Sequence, residues 1–335
     1  MKYRKHLDNV ERISSPSIDH SKIRLNSAER DLPIDQNIWN KYINSLKETD
    51  VRYYPDTEYA KELIAKHEGV KSGQITLGSG SDQVIRNVFE CFVNPDENVV
   101  TTDPCFPMYG VYGNIYNLNV KKVPYRYDKK DVSAILSAID FKTSLVILSN
   151  PSSPIGDSYS PSELKSIIIR ANDMGAIVVI DEAYIQFATN TISLSSHAWS
   201  YSNLIVIKTF SKAVGAAGIR FGYGISNCKI TKILHKVKSM YEITGPTIKW
   251  VETVVNNYTE IALYCEKVKI NRELLADKLR DYYDVVTGEC NWIHTTKIDY
   301  PEDIETRTCS LPWSDQVWTR LCVPADTTTL LRLLK

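Results

Sequence analysis

Two side chains with the potential for chemistry come shortly after apolar runs of the sequence. Asp181 directly follows the run 176–180, and Lys212 comes five residues after the run 204–207. An unprotonated lysine amine is a nucleophile towards carbonyl carbons. Taken singly, Lys212 is explained as a solvated lysine at the start of a helix, and Asp181 as a helix cap. Chemistry is therefore indicated only if the fold brings such residues together.

The apolar runs themselves predict a mostly parallel β-sheet that is covered on both faces. They are continuous rather than alternating, and segments of helical period such as 83–92 and 160–174 lie between several of them. The runs are 75–77, 98–101, 120–123, 145–148, 176–180 and 204–207. In sheets of this kind ligands bind at the carboxyl ends of the strands, which is where the polar clusters of this sequence stand.

The length of 335 residues exceeds what a single hydrophobic core usually supports, so two lobes are expected. The polar residues 1–50, which include Pro16 and Pro33, predict an extended N-terminal arm that packs with the C-terminal part. Residues 51–245 form the predicted large domain. A helical stretch over 247–280 and a strand-like tail predict a smaller α+β domain over 246–335.

Composition and motifs argue against several other classes of protein. Forty Lys and Arg balance forty Asp and Glu, which disfavours nucleic acid and anionic membranes as partners. The seven cysteines form no C-x-x-C and the six histidines show no metal-binding spacing, so we expect no metal site and a reducing, cytoplasmic location. We see no secretory signal and no run long enough to span a membrane. The turn Gly78–Asp82 lacks the third glycine of a dinucleotide fingerprint, and the P-loop and serine-hydrolase motifs are absent.

Four segments and one arginine occur in an order typical of a known enzyme family. They are Ser79–Asp82, Asn150-Pro-Ser-Ser-Pro-Ile-Gly156, Asp181-Glu-Ala-Tyr184, Thr209-Phe-Ser-Lys212 and, eight residues beyond the lysine, Arg220. Together they resemble the fold type I aminotransferases that use pyridoxal phosphate, above all the histidinol-phosphate aminotransferases. The resemblance runs from about Leu25 to the C-terminus. It implies an α/β fold with a mostly parallel mixed sheet in a large domain and a smaller α+β domain.

The resemblance implies three catalytic roles. Lys212 would form the Schiff base with the cofactor aldehyde and then act as the base that moves the α-proton. Asp181 would keep the pyridine nitrogen protonated, so that the ring can accept electrons. Tyr184 resembles the tyrosine that hydrogen-bonds the phenolic oxygen of the ring.

The resemblance also implies how the cofactor is bound. Phosphate is held by N–H groups at a helix start, by hydroxyls and by a fixed cation. The residues implied for this cup are Ser81, Asp82, Thr209, Ser211, Arg220 and, from the neighbouring subunit, Tyr54. Phe106 would stack on the ring, with a buried core aromatic as the structural alternative. Asn150 and Ser153 belong to the segment that contacts the phenolic oxygen.

The substrate side of the predicted site depends on three residues. Arg320 resembles the arginine that grips a carboxylate or phosphate, and Arg307, thirteen positions earlier, a second anion-binding arginine. Two bidentate donors imply an anionic substrate, whether carboxylate or phosphate. A surface residue is the alternative for Arg307. Glu29 belongs to the segment that closes over the substrate in the family.

Two departures from the family pattern affect the expected reaction. Ser153 stands where the family has an asparagine that bonds the phenolic oxygen, and Ala28 replaces another asparagine. We therefore expect altered specificity rather than histidinol-phosphate transamination itself. The expected reaction is transamination of a small anionic amino compound by a homodimer with a shared active site. The alternatives are pyridoxal-phosphate-dependent decarboxylation of a phosphorylated amino acid and a non-catalytic binding protein, against which Lys212 argues.

Overall fold

The fold is described from a computed structural model of residues 1–12, 18–124 and 131–334, so that Pro16 of the predicted arm lies outside the described residues. The strands are β1 Ile23–Arg24, β2 Ile75–Gly78, β3 Asn98–Asp103, β4 Asn119–Pro124, β5 Thr143–Ser149, β6 Ile177–Asp181, β7 Leu204–Thr209, β8 Gly222–Ser226, β9 Val285–Thr287, β10 Trp292–Thr295, β11 Ile304–Glu305, β12 Arg307–Cys309 and β13 Trp318–Cys322. The α-helices are α1 Gln36–Ser45, α2 Thr49–Arg52, α3 Thr57–Glu68, α4 Ser81–Phe92, α5 Pro107–Tyr116, α6 Val132–Ala138, α7 Pro161–Asp173, α8 Cys228–Leu234, α9 Gly245–Val255, α10 Tyr258–Arg280 and α11 Thr327–Leu333.

The central feature is a seven-stranded sheet in the order β2-β8-β7-β6-β5-β3-β4. Strand β8 runs antiparallel to both of its neighbours, and the other pairs are parallel. Each predicted apolar run lies in one of these strands, except that Ala176 precedes β6 by one residue. Strand β8 was not predicted, because its sequence Gly-Tyr-Gly-Ile-Ser has two glycines and no continuous apolar run. The mixed, mostly parallel sheet confirms the predicted fold class.

Both faces of the sheet are buried, as continuous apolar strands require. Successive residues of β6 point to opposite sides: Val178 and Ile180 belong to one core cluster and Val179 to the other. Helices α4, α5 and α8 supply side chains to the cluster of Val179, whereas α3, α7 and α9 supply the opposite one. This layering leaves the strand ends as the place where polar side chains can meet.

The C-terminal part forms a second, antiparallel sheet in the order β12-β13-β10-β9. The predicted helical stretch over 247–280 divides into α9 and α10 at Asn256–Asn257. Strand β1 of the N-terminal segment pairs with β11 in parallel, which ties the chain's start to this C-terminal part. The domain boundaries at residues 50/51 and 245/246 stay a prediction from the sequence.

The N-terminal segment differs from the expected extended arm because it contains helix α1. Asp35 caps this helix by accepting hydrogen bonds from the N–H groups of Asn37 and Ile38. Its buried face packs on α9, where the ring of Tyr42 meets that of Trp250 edge-on at 5.0 Å. Among the described residues, no helix has both the length and the hydropathy of a membrane span.

Candidate active site

A cavity of about 220 Å³ lies at the carboxyl ends of β5, β6 and β7, whose last residues Ser149, Asp181 and Thr209 all line it. Eleven of the residues predicted from the sequence line this cavity: Glu29, Ser81, Asp82, Phe106, Ser153, Asp181, Tyr184, Thr209, Ser211, Lys212 and Arg220. The parallel topology thus brings together segments that are far apart in the chain, at the edge where ligands bind to such sheets.

Lys212 reaches into the cavity from the loop that follows β7. Its Nζ donates a hydrogen bond to the backbone oxygen of Ser27 at 3.0 Å and lies 5.5 Å from the ring centre of Tyr184. Burial lowers the pKa of the amine to about 8, because removal from water disfavours the charged form. At neutral pH a larger fraction of this amine is therefore uncharged, and able to attack a carbonyl, than for a solvated lysine.

Asp181 is buried at the end of β6, and two donors hold its carboxylate. The hydroxyl of Tyr109 donates to it at 2.9 Å and the N–H of Ala183 at 3.1 Å. Burial raises the pKa of Asp181 to about 6, while these two hydrogen bonds act in the opposite direction. Tyr109 was missed by the sequence analysis, although it lies only three residues after Phe106.

The other end of the cavity carries the groups that suit a phosphate. Helix α4 begins after Gly80, whose backbone angles of φ 79° and ψ 163° favour glycine. Ser81 is the first residue of that helix, so its side chain and the helix N-terminus lie together. A Cβ at Gly80 would come within 2.5 Å of the Nη2 atom of Arg220. The guanidinium therefore fills the space that this glycine leaves open.

Hydroxyl groups surround the same guanidinium. Arg220 Nη1 lies 3.5 Å from Ser211 Oγ and donates to the backbone oxygen of Ala217 at 3.1 Å. Thr209 Oγ1 is 3.0 Å from Ser211 Oγ. The Oδ1 atom of Asp82 is buried without a hydrogen-bond partner among the described residues. Two hydroxyls, a cation and a helix start fit the phosphate group of a cofactor, whereas the orphaned carboxylate oxygen of Asp82 is an acceptor and needs a donor rather than a phosphate oxygen.

The predicted neighbours of the cofactor ring differ in how they face the cavity. Phe106 is half-buried beside it and meets Tyr109 edge-on at 5.5 Å. Tyr184 is buried, with its ring edge-on to Trp292 at 4.6 Å. Ser153 lines the cavity and donates its N–H to the Oγ of Ser149 at 2.8 Å.

Two predicted cofactor-binding residues do not line the cavity of their own chain. Asn150 is buried behind it, and its Oδ1 accepts a hydrogen bond from the N–H of Tyr159 at 2.8 Å. Asn150 therefore shapes the loop that carries Ser153. Tyr54 is 79% exposed and stacks on Tyr241 at 4.2 Å between ring centres. Its predicted contact with the cofactor phosphate of a neighbouring subunit stays a prediction.

A second cavity adjoins the first and shares four lining residues with it: Phe106, Ser153, Tyr184 and Lys212. Both predicted substrate arginines line this second cavity. Arg320 is buried and donates from Nη2 to the backbone oxygen of Asn26 at 2.8 Å, whereas Arg307 is exposed. Glu29 lines the first cavity instead and forms an ion pair with Arg24 at 2.9 Å.

Comparison with known proteins assigns this arrangement to a family. The family model of class I and II aminotransferases matches residues 20–329. The chain belongs to the class I and II aminotransferase family. The predicted resemblance is thereby confirmed at the level of the family.

Two relatives of this aminotransferase-family chain are histidinol-phosphate aminotransferases. The protein from Christiangramia forsetii is 35% identical over 68% of this chain, and the match spans 65% of that protein's length. The protein from Clostridium kluyveri is 30% identical over 81% of this chain and 76% of its own length. The solved structure of the histidinol-phosphate aminotransferase from Sinorhizobium meliloti in complex with pyridoxal-5'-phosphate has a TM-score of 0.81. It is 20% identical, covers 93% of this chain and 88% of its own, and supports the fold alone.

Proposed function

We propose that this protein is a pyridoxal-phosphate-dependent aminotransferase that acts on a small, phosphorylated amino compound. One observation carries the proposal: the amine of Lys212, the carboxylate of Asp181 and the anion cup around Arg220 line a single cavity. The names of the two relatives support the choice of transamination and of a phosphorylated substrate.

Each residue has a defined part in this proposal. Pyridoxal phosphate, when bound, supplies an aldehyde for amines and a ring that takes up the electron pair of a broken Cα bond. With the cofactor bound, Lys212 would hold its aldehyde until an amine donor takes that place, and the freed amine of Lys212 would then move the proton at the donor's Cα. Asp181 would stabilise the positive charge of the ring nitrogen, and Phe106 and Tyr184 would contact the ring. The cup would hold the cofactor phosphate through the N–H groups at Ser81 and Asp82, the hydroxyls of Thr209 and Ser211 and the guanidinium of Arg220.

The second cavity positions the rest of the substrate. Arg320 and Arg307 bind its distal anionic group, since a guanidinium fork matches both carboxylate and phosphate oxygens. The segment that contains Glu29 lies next to Lys212: the backbone oxygen of Ser27 accepts the hydrogen bond of the lysine, and Glu29 lines the same cavity. An amino donor and a keto-acid acceptor are the two small-molecule partners of the reaction.

The assembly and location are also proposals. A homodimer would place Tyr54 of each subunit against the neighbour's cofactor phosphate, which accounts for an exposed tyrosine that lies off its own cavity. A cytoplasmic location suits seven cysteines that are all unpaired in the described structure.

The visible absorption spectrum of the purified protein tests this function. We expect the absorption band of lysine-bound pyridoxal phosphate, and its conversion to the band of the aminated cofactor when glutamate or a phosphorylated amine is added. The variant Lys212→Ala should lack the band of the lysine adduct and lose turnover, whereas Lys229→Ala, at an exposed lysine on α8, should behave as the wild type.

Three outcomes would contradict the proposal in different ways. A protein that shows no band after incubation with pyridoxal phosphate would not use this cofactor. A band that never converts, together with release of carbon dioxide, would identify a decarboxylase. Full activity of Lys212→Ala would remove the lysine from the mechanism.

A further inference from the structure

A histidine that the function has not used lies beside the two substrate arginines. His294 on β10 is paired directly opposite Arg320 on β13, and Arg320 is paired directly opposite Arg307 on β12. Directly opposite residues of an antiparallel pair project from the same face of a sheet. The three side chains therefore form a row across three neighbouring strands, and all three line the second cavity.

His294 has no protein partner in this row. It is only 1% exposed, yet none of the hydrogen bonds of the described residues involves either of its ring nitrogens. Burying a polar side chain without a hydrogen-bond partner costs free energy, so such a side chain indicates that a ligand supplies the partner. Arg320 is in a similar position, because its Nε is buried without a partner in the described part of the chain. The unpartnered atoms on two neighbouring strands indicate a ligand that hydrogen-bonds to both.

The charges in the cavity define that ligand further. No aspartate or glutamate is among the described lining residues of the second cavity, while Arg307 and Arg320 stand opposite each other. Like charges in opposed positions are destabilising, so an anion between them is favoured. His294 adds no third charge: burial and the neighbouring Arg320 lower its pKa to about 3, so it is neutral at physiological pH. A neutral imidazole has one nitrogen that donates and one that accepts.

We propose that His294 is a specificity-determining residue whose imidazole hydrogen-bonds the distal phosphate of the substrate, beside Arg307 and Arg320. The inference rests on the proposed function and adds a reason for a phosphate ester in place of a carboxylate. A carboxylate has two oxygens, which a single guanidinium fork can occupy. A phosphate monoester has three terminal oxygens, so it still offers acceptors to a third donor. If one of them is protonated, the second imidazole nitrogen accepts that proton's hydrogen bond.

Paired binding measurements on the protein loaded with pyridoxal phosphate test this role. Inorganic phosphate and succinate are titrated by calorimetry into the wild type, His294→Leu and His294→Gln. Leucine removes the hydrogen-bonding nitrogens, whereas glutamine keeps a donor and an acceptor. Ile293→Val is the matched control, because Ile293 is the buried neighbour on the opposite face of the same strand.

The leucine variant should weaken phosphate binding about 10- to 100-fold, the usual effect of losing a hydrogen bond to a charged group. Succinate affinity should change less than about threefold, and the glutamine variant should recover most of the phosphate affinity. Phosphate affinity that is unchanged in His294→Leu would overturn the inference. So would an equal loss for phosphate and succinate, because a merely structural role predicts that result.

A wild type that takes up no pyridoxal phosphate would contradict the proposed function but would not test the role of His294. In that case the titrations are made in an Arg220→Ala background, which weakens phosphate binding in the cofactor cup. A phosphate affinity that still depends on His294 would support the inference without the cofactor. Equal affinities with and without the histidine would end it.

Discussion

At the scale of single residues, the chemistry of the site depends on two pKa values that burial shifts. Hydrogen bonds offset the shift only in part, and only at Asp181. The carboxylate of Asp181 is kept ionisable by two hydrogen bonds, of which the one from Tyr109 comes from helix α5 at 2.9 Å. Burial alone would move its pKa further up. Lys212 shows the complementary case, since burial lowers its pKa towards neutrality. The two groups are therefore set for opposite tasks: Asp181 to hold a positive charge and Lys212 to exchange a proton.

Tyr109→Phe should move the acidic limb of the pH–rate profile to higher pH. The tyrosine stabilises the ionised form of Asp181, so its loss raises the pKa of that carboxyl above about 6. Activity is expected to fall as Asp181 takes up a proton. In the variant this fall should occur at a pH about one unit higher than in the wild type. The measurement is kcat from pH 5 to 8, with Tyr116→Phe as the control, at a half-buried tyrosine whose hydroxyl lies between Arg86 and Glu90. An unmoved acidic limb in Tyr109→Phe would exclude this coupling.

At the scale of elements, the cofactor cup depends on close approach between the start of α4 and the two neighbouring segments. Gly80 leaves room for the guanidinium of Arg220. Gly222 at the start of β8 lets that strand lie directly against Ser81, where a Cβ would overlap the backbone. A helix N-terminus, a strand end and an arginine therefore meet because two positions carry no side chain.

Gly80→Ala should weaken cofactor binding and destabilise the fold at once. Its backbone angles are nearly restricted to glycine, so the strain costs about 1–3 kcal/mol. The added methyl group also displaces Arg220, which should raise the dissociation constant of pyridoxal phosphate about 10- to 100-fold. Urea unfolding and a cofactor titration measure the two effects. Gly110→Ala is the control, since the added carbon has no atom within 4 Å apart from its own helix backbone and adjacent residues, and alanine suits a helix. Similar losses in both variants would refute the proposed role of Gly80.

At the scale of the whole molecule, the proposed dimer completes a site that one chain leaves open. Tyr54 and Tyr241 stack at the surface, away from the cavity of their own chain. Exposed aromatic residues of this kind are enriched in protein interfaces. The second copy would thus contribute a hydroxyl to the phosphate cup.

Tyr54→Phe should therefore weaken pyridoxal phosphate binding about 10-fold, because a hydroxyl hydrogen bond to a charged group is lost. The variant should remain a dimer, because no other contact changes. Sedimentation velocity gives the mass and a cofactor titration the affinity. Tyr53→Phe, at the adjacent exposed tyrosine, is expected to bind the cofactor as the wild type does. A monomeric wild type, or equal effects of the two substitutions, would contradict the shared site.

Much of the candidate site could be predicted from the sequence because its residues follow strands. Asp181, Thr209 and Lys212 come at or just after the ends of apolar runs, and a parallel sheet brings such ends to one edge whatever the loops do. Strand β8 could not be predicted in this way, because it is too short and glycine-rich to give an apolar signal. Helix α1 was missed for a related reason, since only two of its residues are buried and the tertiary contact with Trp250 favours the helix.

The sequence by itself thus determined the fold class, the family and eleven of the residues that line the first cavity, since each of these depends on local patterns and their order. Only the tertiary structure decided which side chains line the two cavities. Asn150 turns away to bond the backbone of Tyr159, and Tyr109 reaches Asp181 across 72 positions. His294 meets Arg320 only through the register of β10 and β13. Register and side-chain direction are set by packing between distant segments, and no local pattern in the chain encodes them.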